Sequence, residues 1–305
     1  MRYGLWLGLI LMLAGCAQQA APPTPQADPL LYRPEKIAAT DRLVIFIPGA
    51  LTSVRMFAPA RGWTQSGFAP VFYRFPGLDG RPLTGPLDIG AAADEIAAFA
   101  NAHPEKDVAL VGYSSGAPIA ILAAARITGD RIVPVAAISP AVERSGGLPT
   151  LARGAGDILR AAARAGTLER LPIWVEYWQI LLYGRNATPD PQFRQRIISR
   201  AHTHSGERSL GPPDPNLARS HASRLARWEL PPKLDLTHVR LRLYAGLEDP
   251  VFSTAQTLRF ARKLGQDRIY GYPGEGHLLY LTQSDVFDTA RQFADTVLDP
   301  QTDRQ

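Results

Sequence analysis

The 305-residue chain has a single cysteine, Cys16, so no disulfide can form within it. It is nearly as poor in lysine. Only Lys36, Lys106, Lys233 and Lys263 are present among 33 basic residues, and the other 29 are arginines. The net charge is +5 and the pI about 9.5, yet the arginines are scattered with acids between them. A phosphate-binding face needs a cluster or stripe, which excludes nucleic acid as an expected partner. The apolar run from Leu5 to Ala14 is too short to span a bilayer. No internal repeat of roughly 20 to 50 residues is present, which excludes solenoids and propellers. With 46% hydrophobic and 20% charged residues the chain is ordinary globular material. It has room for one large α/β domain or two small ones.

At the amino end, "MRYGLWLGLILMLAGC" carries a positive charge at Arg2, a short apolar run, and small residues before Cys16. That is the layout of a signal peptide. "LAGC" resembles the lipobox of bacterial lipoproteins. The resemblance implies that residues 1–15 are removed and that Cys16 is lipidated and becomes the first mature residue. The chain would then be held to a membrane by acyl chains rather than by a span. Ala17 does not forbid the outer membrane, so the expected location is the bacterial cell envelope, lipid-anchored at the outer membrane and facing the periplasm. Residues 16–36 are rich in Ala, Pro and Gln and read as an extended tether.

The most informative stretch is "VALVGYSSGAPIAILAAA", residues 108–125. Its first part is a β-branched apolar run suited to a strand buried on both faces. Its last part is Ala-rich and long enough for a helix, with Pro118 near the start, where a missing N–H does no harm. Between them Gly112 and Gly116 bracket Tyr113, Ser114 and Ser115. A strand that turns into a helix with almost no loop holds its central residue at strained angles, and only small neighbours fit. The pattern G-x-S-x-G in this context is a nucleophile elbow centred on Ser114.

Around it, strands are expected in "RLVIFIPGA" (42–50), "FAPVFYRFPG" (68–77), "RIVPVAAISPA" (131–141), "VRLRLYAGLEDP" (239–250) and "RIYGYPGEGH" (268–277). Helical patterns separate them at 88–103, after the elbow, at "STAQTLRFARKLG" and at "SDVFDTARQFADTVL". Alternating strands and helices predict a parallel sheet covered on both faces. The rhythm breaks over residues 142–232, which contain little that reads as strand. An insertion of that size predicts a helical cap.

Ligands bind outside the carboxyl ends of strands in such sheets. Ser114, Asp249 and His277 each follow a predicted strand, as do Ala50 and Leu51. The chain order Ser, Asp, His is that of the α/β-hydrolases. "FIPGA", "LVGYSSGAPIA", "YAGLEDPVF" and "PGEGHLLYLTQSDVF" together resemble the capped branch of that superfamily, from about residue 42 to 296. The resemblance implies an α/β-hydrolase fold, trimmed to about six strands because little chain precedes residue 42. It implies a serine hydrolase acting on an ester or thioester through an acyl-enzyme, or an acyltransferase on the same residues. A non-catalytic binding module on the same fold is the competing class. Ser114 would be the nucleophile, His277 the base and Asp249 its orienting acid, with Glu248 and Glu143 as rivals of Asp249. The backbone N–H groups of Ala50 and Ser115 would hold the oxyanion. Two departures stand out: Pro48-Gly49 where many members have His-Gly, and Arg74 in the region where many carry an Asp.

Trp174, Tyr177 and Trp178 share helical spacing in the insertion. They are candidates for a substrate-binding lining or for packing. Arg55 is a weaker candidate for an anionic-substrate contact. His202 and His204 form the only tight histidine pair, and no third ligand lies nearby, so no metal site is expected. The chemistry needs no cofactor. His103, His221 and His238 receive no role, and the oligomeric state is not fixed by the sequence.

Overall fold

The computed structural model describes residues 28–145, 148–188, 190–203 and 214–299. Cys16, the lipobox-like segment and most of the expected tether lie outside them. Among the described residues, seven strands form one sheet in the order β1-β3-β2-β4-β5-β6-β7. They are β1 Leu30–Leu31, β2 Arg42–Ile47, β3 Phe68–Tyr73, β4 Asp107–Tyr113, β5 Val133–Ile138, β6 Val239–Gly246 and β7 Tyr270–Tyr272. All neighbours are parallel except β1, which runs antiparallel to β3 with Leu30 opposite Tyr73.

Seven strands agree with the expected sheet of about six, and β1 is the one not foreseen. It comes from chain read as tether. Leu30 is buried, and Arg74 N–H donates to Pro29 O at 2.7 Å. The first helix, α1 Pro34–Ala38, follows at once and buries Ile37. Folded structure therefore begins before residue 36. Two apolar residues after Pro29 carry no periodic signal, so β1 could not be read from the sequence.

Alternate residues of the central strands enter two cores, one on each face. Leu43, Ile45, Val108 and Leu110 face one side, and Val44, Phe46, Ala109 and Val111 face the other. Burial on both faces is why these strands read as unbroken apolar runs. The first face is covered by α3 Ile89–Asn101, α4 Gly116–Ala124 and α9 Thr254–Lys263. In α3, buried residues 89, 92, 93, 96, 97 and 100 make one helical stripe, and Asp88 caps the helix by accepting from Ala91 N–H at 3.1 Å. A capping box of Ser253 and Gln256 starts α9. The second face is covered by α2 Arg61–Gln65, α10 Leu279–Thr282 and α11 Val286–Leu298.

Between β5 and β6 the chain forms α5 Leu148–Ala165, α6 Arg170–Tyr183, α7 Pro191–Thr203 and α8 Pro215–Leu225. No helix among the described residues is long and apolar enough to cross a membrane.

Candidate active site

Ser114 stands just past the end of β4 with φ of 51°, in the left-handed region that a side chain enters only at a cost. The turn is sterically fixed. A Cβ on Gly112 would meet Gly116 O at 2.3 Å, and one on Gly116 would meet Ile47 O at 2.1 Å. Only glycine lets β4, β2 and the start of α4 approach so closely. Ser114 N–H donates to Ile138 O at 2.9 Å, and Ser114 O accepts from Ala141 N–H at 2.9 Å. The strained residue is thus gripped on both sides by backbone.

His277 lies in the loop after β7. Its Nε2 is 3.1 Å from Ser114 Oγ and its Nδ1 is 2.8 Å from Asp249 Oδ2. The other carboxylate oxygen, Oδ1, accepts from Val251 N–H at 2.7 Å and Phe252 N–H at 3.0 Å. Both oxygens of Asp249 therefore have partners, and Asp249 and His277 are both buried. Tyr113 OH donates to His277 O at 3.1 Å. Burial pushes the Tyr113 phenol well above its ordinary value, so it stays a neutral donor. The rings of Phe252 and Tyr113 flank the imidazole at centroid distances of 5.4 and 5.5 Å.

The rival acids sit elsewhere. Glu248 is exposed and its N–H donates to Glu275 O. Glu143 is paired with Lys263 and accepts from Leu230 N–H at 2.9 Å.

The loop after β2 passes beside the elbow. Ala50 N–H, one of the two expected oxyanion donors, is engaged here by Ser115 Oγ at 2.7 Å. For Ala50 to reach a substrate oxygen, that hydroxyl must turn away. Ser115 itself is buried at the start of α4, where a backbone N–H points outward along the helix axis. Arg55 stands on a short 3₁₀ turn, Val54–Phe57, past this loop.

The insertion supplies a support that the sequence did not disclose. The last turn of α6 points its carbonyls at the histidine loop. Leu181 O accepts from His277 N–H at 2.7 Å, and Leu182 O accepts from Gly276 N–H at 2.6 Å. A helix end leaves its last carbonyls without helical partners, and here the histidine loop provides them. Arg185, just beyond α6, donates to Pro250 O at 2.6 Å and grips Asp157 of α5 with two bonds of 2.7 and 2.9 Å. The acid turn and the histidine loop are therefore both tied to the insertion.

On α6, Trp178 is buried in the core cluster that contains Tyr113 and Leu279, while Trp174 is only partly buried against it. Tyr177 is half-buried, with its ring 5.3 Å from that of Trp174. The side chains of His202 and His204 lie outside what is described. Among the described residues no three of His, Cys, Asp and Glu gather as metal ligands.

Residues 44–291 match the model of the alpha/beta hydrolase family. The chain belongs to that family. This hydrolase shares its fold with an esterase from Exiguobacterium antarcticum, at 15% identity and TM-score 0.60, over 84% of this chain and 93% of that one. A thermophilic esterase from Thermogutta terrifontis aligns at 17% identity and TM-score 0.58, over 85% and 91%. A membrane phospholipase A, described as a bacterial virulence factor, aligns at 17% identity and TM-score 0.58, over 85% and 80%. No curated protein matches the sequence. Likeness at these identities establishes the fold alone, and the family rests on the match over residues 44–291.

Proposed function

We propose that the hydrolase cleaves carboxylic esters or thioesters through an acyl-enzyme on Ser114. The observation that carries this is the single imidazole of His277 standing between Ser114 Oγ at 3.1 Å and Asp249 Oδ2 at 2.8 Å. A serine hydroxyl is a weak nucleophile at neutral pH and needs a base within hydrogen-bond reach. His277 Nε2 takes the proton as Ser114 attacks the carbonyl, then returns it to the departing alcohol or thiol. Asp249 holds the Nδ1–H tautomer and stabilises the imidazolium. Ser115 N–H and Ala50 N–H receive the negative oxygen of the tetrahedral intermediate. A water, activated by His277 in the same way, releases the acyl group and restores Ser114. The partly buried aromatic surface of α6 at Trp174 and Tyr177 favours an apolar acyl or aryl group.

The test is a series of p-nitrophenyl esters of increasing acyl length. Wild type should turn over at least the short members, and Ser114→Ala and His277→Ala should be inactive while folded. A folded wild type with no turnover on any ester would favour a binding module.

The envelope anchoring is a separate proposal. It is supported by "LAGC" and the run before it. Wild type should incorporate labelled palmitate and Cys16→Ser should not. Label retained in Cys16→Ser would end the idea, since no other cysteine exists.

A further inference from the structure

His221, on α8 of the insertion, is fully buried. Its two ring nitrogens have different backbone partners. Leu51 N–H donates to Nδ1 at 3.1 Å, and Nε2 lies 3.0 Å from Pro76 O. A carbonyl can only accept, so Nε2 carries the proton and Nδ1 is the bare acceptor. The ring also meets Phe75 edge-on at 5.6 Å. Burial holds the His221 pKa below its ordinary value, in keeping with a neutral ring.

Leu51 is the residue after Ala50, and it has φ of 65°. A leucine in the left-handed region is costly and persists only when its surroundings hold it. A second grip acts just downstream. Asp79 accepts from Val54 N–H at 2.9 Å and from Ser53 Oγ. Asp79 and Pro76 belong to the same loop after β3, and α8 rests on that loop. Leu217 lies against Gly77, and Ser220 Oγ donates to Gly85 O at 2.8 Å. The turn carrying Ala50 is therefore braced from one loop directly by Asp79 and through α8 by His221.

We propose that His221 is a positioning residue that fixes the Leu51 turn, and through it aims the Ala50 N–H at the oxyanion of the reaction proposed above. The inference rests on that reading. His221 touches no reacting atom. Its part is to keep the donor pre-aimed, so that the turn need not reorganise as charge develops.

Two amide replacements separate its two bonds. In His221→Asn the side-chain oxygen can stand where Nδ1 stands and still accept from Leu51. In His221→Gln the side-chain nitrogen can stand where Nε2 stands and still donate to Pro76, but the acceptor for Leu51 is gone. Steady-state kinetics on p-nitrophenyl acetate should show kcat down about 10²-fold in His221→Gln, the scale of losing one oxyanion donor, with KM little changed. His221→Asn should recover most of that loss. Amide hydrogen exchange at Leu51, which needs no turnover, should be faster in His221→Gln than in His221→Asn or wild type.

Equal kcat losses in the two variants would overturn the proposal, because they would make His221 mere packing. So would a kcat in His221→Gln equal to wild type, or a Leu51 amide equally protected in both variants. A wild type inactive on every ester would bring down the proposed function instead. The exchange comparison would still decide whether His221 fixes the turn.

Discussion

Ser114 is held at a backbone angle it would not choose, and the two glycines around it are the reason it can stay there. The same logic applies to Asp249, where the geometry gives each oxygen a distinct duty. Oδ1 collects two backbone N–H groups and shapes the turn, while Oδ2 faces His277. Asp249→Asn should keep the turn by leaving its carbonyl on Val251 and Phe252. Its amide N–H₂ would then face Nδ1 and force the wrong tautomer. We expect kcat to fall about 10³- to 10⁴-fold with the fold intact, read by ester kinetics beside a thermal melt. Glu248→Gln and Glu143→Gln should be near wild type. An active Asp249→Asn beside a dead Glu248→Gln or Glu143→Gln would move the acid elsewhere. At this scale the sequence was most legible. The G-x-S-x-G between an apolar strand and an Ala-rich helix, with Asp249 and His277 at later strand ends, singled out the three side chains that lie within hydrogen-bond reach of one another. The engagement of Ala50 N–H by the Ser115 side chain was not legible, because it depends on a rotamer and not on a pattern.

At the scale of elements, α6 does two things with two faces. Its carboxyl end presents Leu181 and Leu182 carbonyls to the histidine loop, and its flank presents Trp174 and Trp178. Burial divides the two tryptophans. Trp178 has 9% of its surface exposed, so Trp178→Ala should cost about 3 to 5 kcal/mol of stability by leaving a cavity. Trp174→Ala should cost less and should shift preference along the ester chain-length series more than it slows the acetate. Chemical denaturation and the ester series check both, and uniform loss on all esters in Trp174→Ala would make Trp174 packing too. The helices of the insertion were expected from the absence of strand pattern over 142–232. Their attachment to the acid and histidine loops was not, since carbonyl contacts at a helix end leave no mark on residue type. His221 was equally hidden, because a single histidine amid polar residues has no motif around it. Strand β1 was missed because two residues cannot establish a period.

At the scale of the whole molecule, one sheet positions everything. The Ser114 turn follows β4, the Asp249 turn follows β6, the His277 loop follows β7, and the Ala50 turn follows β2. The insertion braces three of these from above, through Leu181 and Leu182, Arg185, and His221. This makes stability depend on pH in a definite direction. Burial lowers the folded-state pKa of His221 from its ordinary value of 6.5. Below that value the unfolded chain takes up a proton that the folded one resists, so the unfolded state binds more protons and stability falls as pH falls. Above it His221 contributes no slope. Melting temperature should therefore decline as pH drops below about 6.5, and His221→Asn should flatten that part of the curve. An unchanged slope in His221→Asn would assign the decline to other groups.

In the proposed reaction Ser114 is a nucleophile made reactive by His277. A fluorophosphonate reacts with a serine activated in this way and leaves a stable adduct that mass spectrometry can place on one residue. The folded wild type should carry a single adduct on Ser114, Ser114→Ala should carry none, and labelling should be slowed by orders of magnitude in His277→Ala. A folded wild type that stays unlabelled, or a His277→Ala variant that labels as fast as wild type, would contradict that reaction.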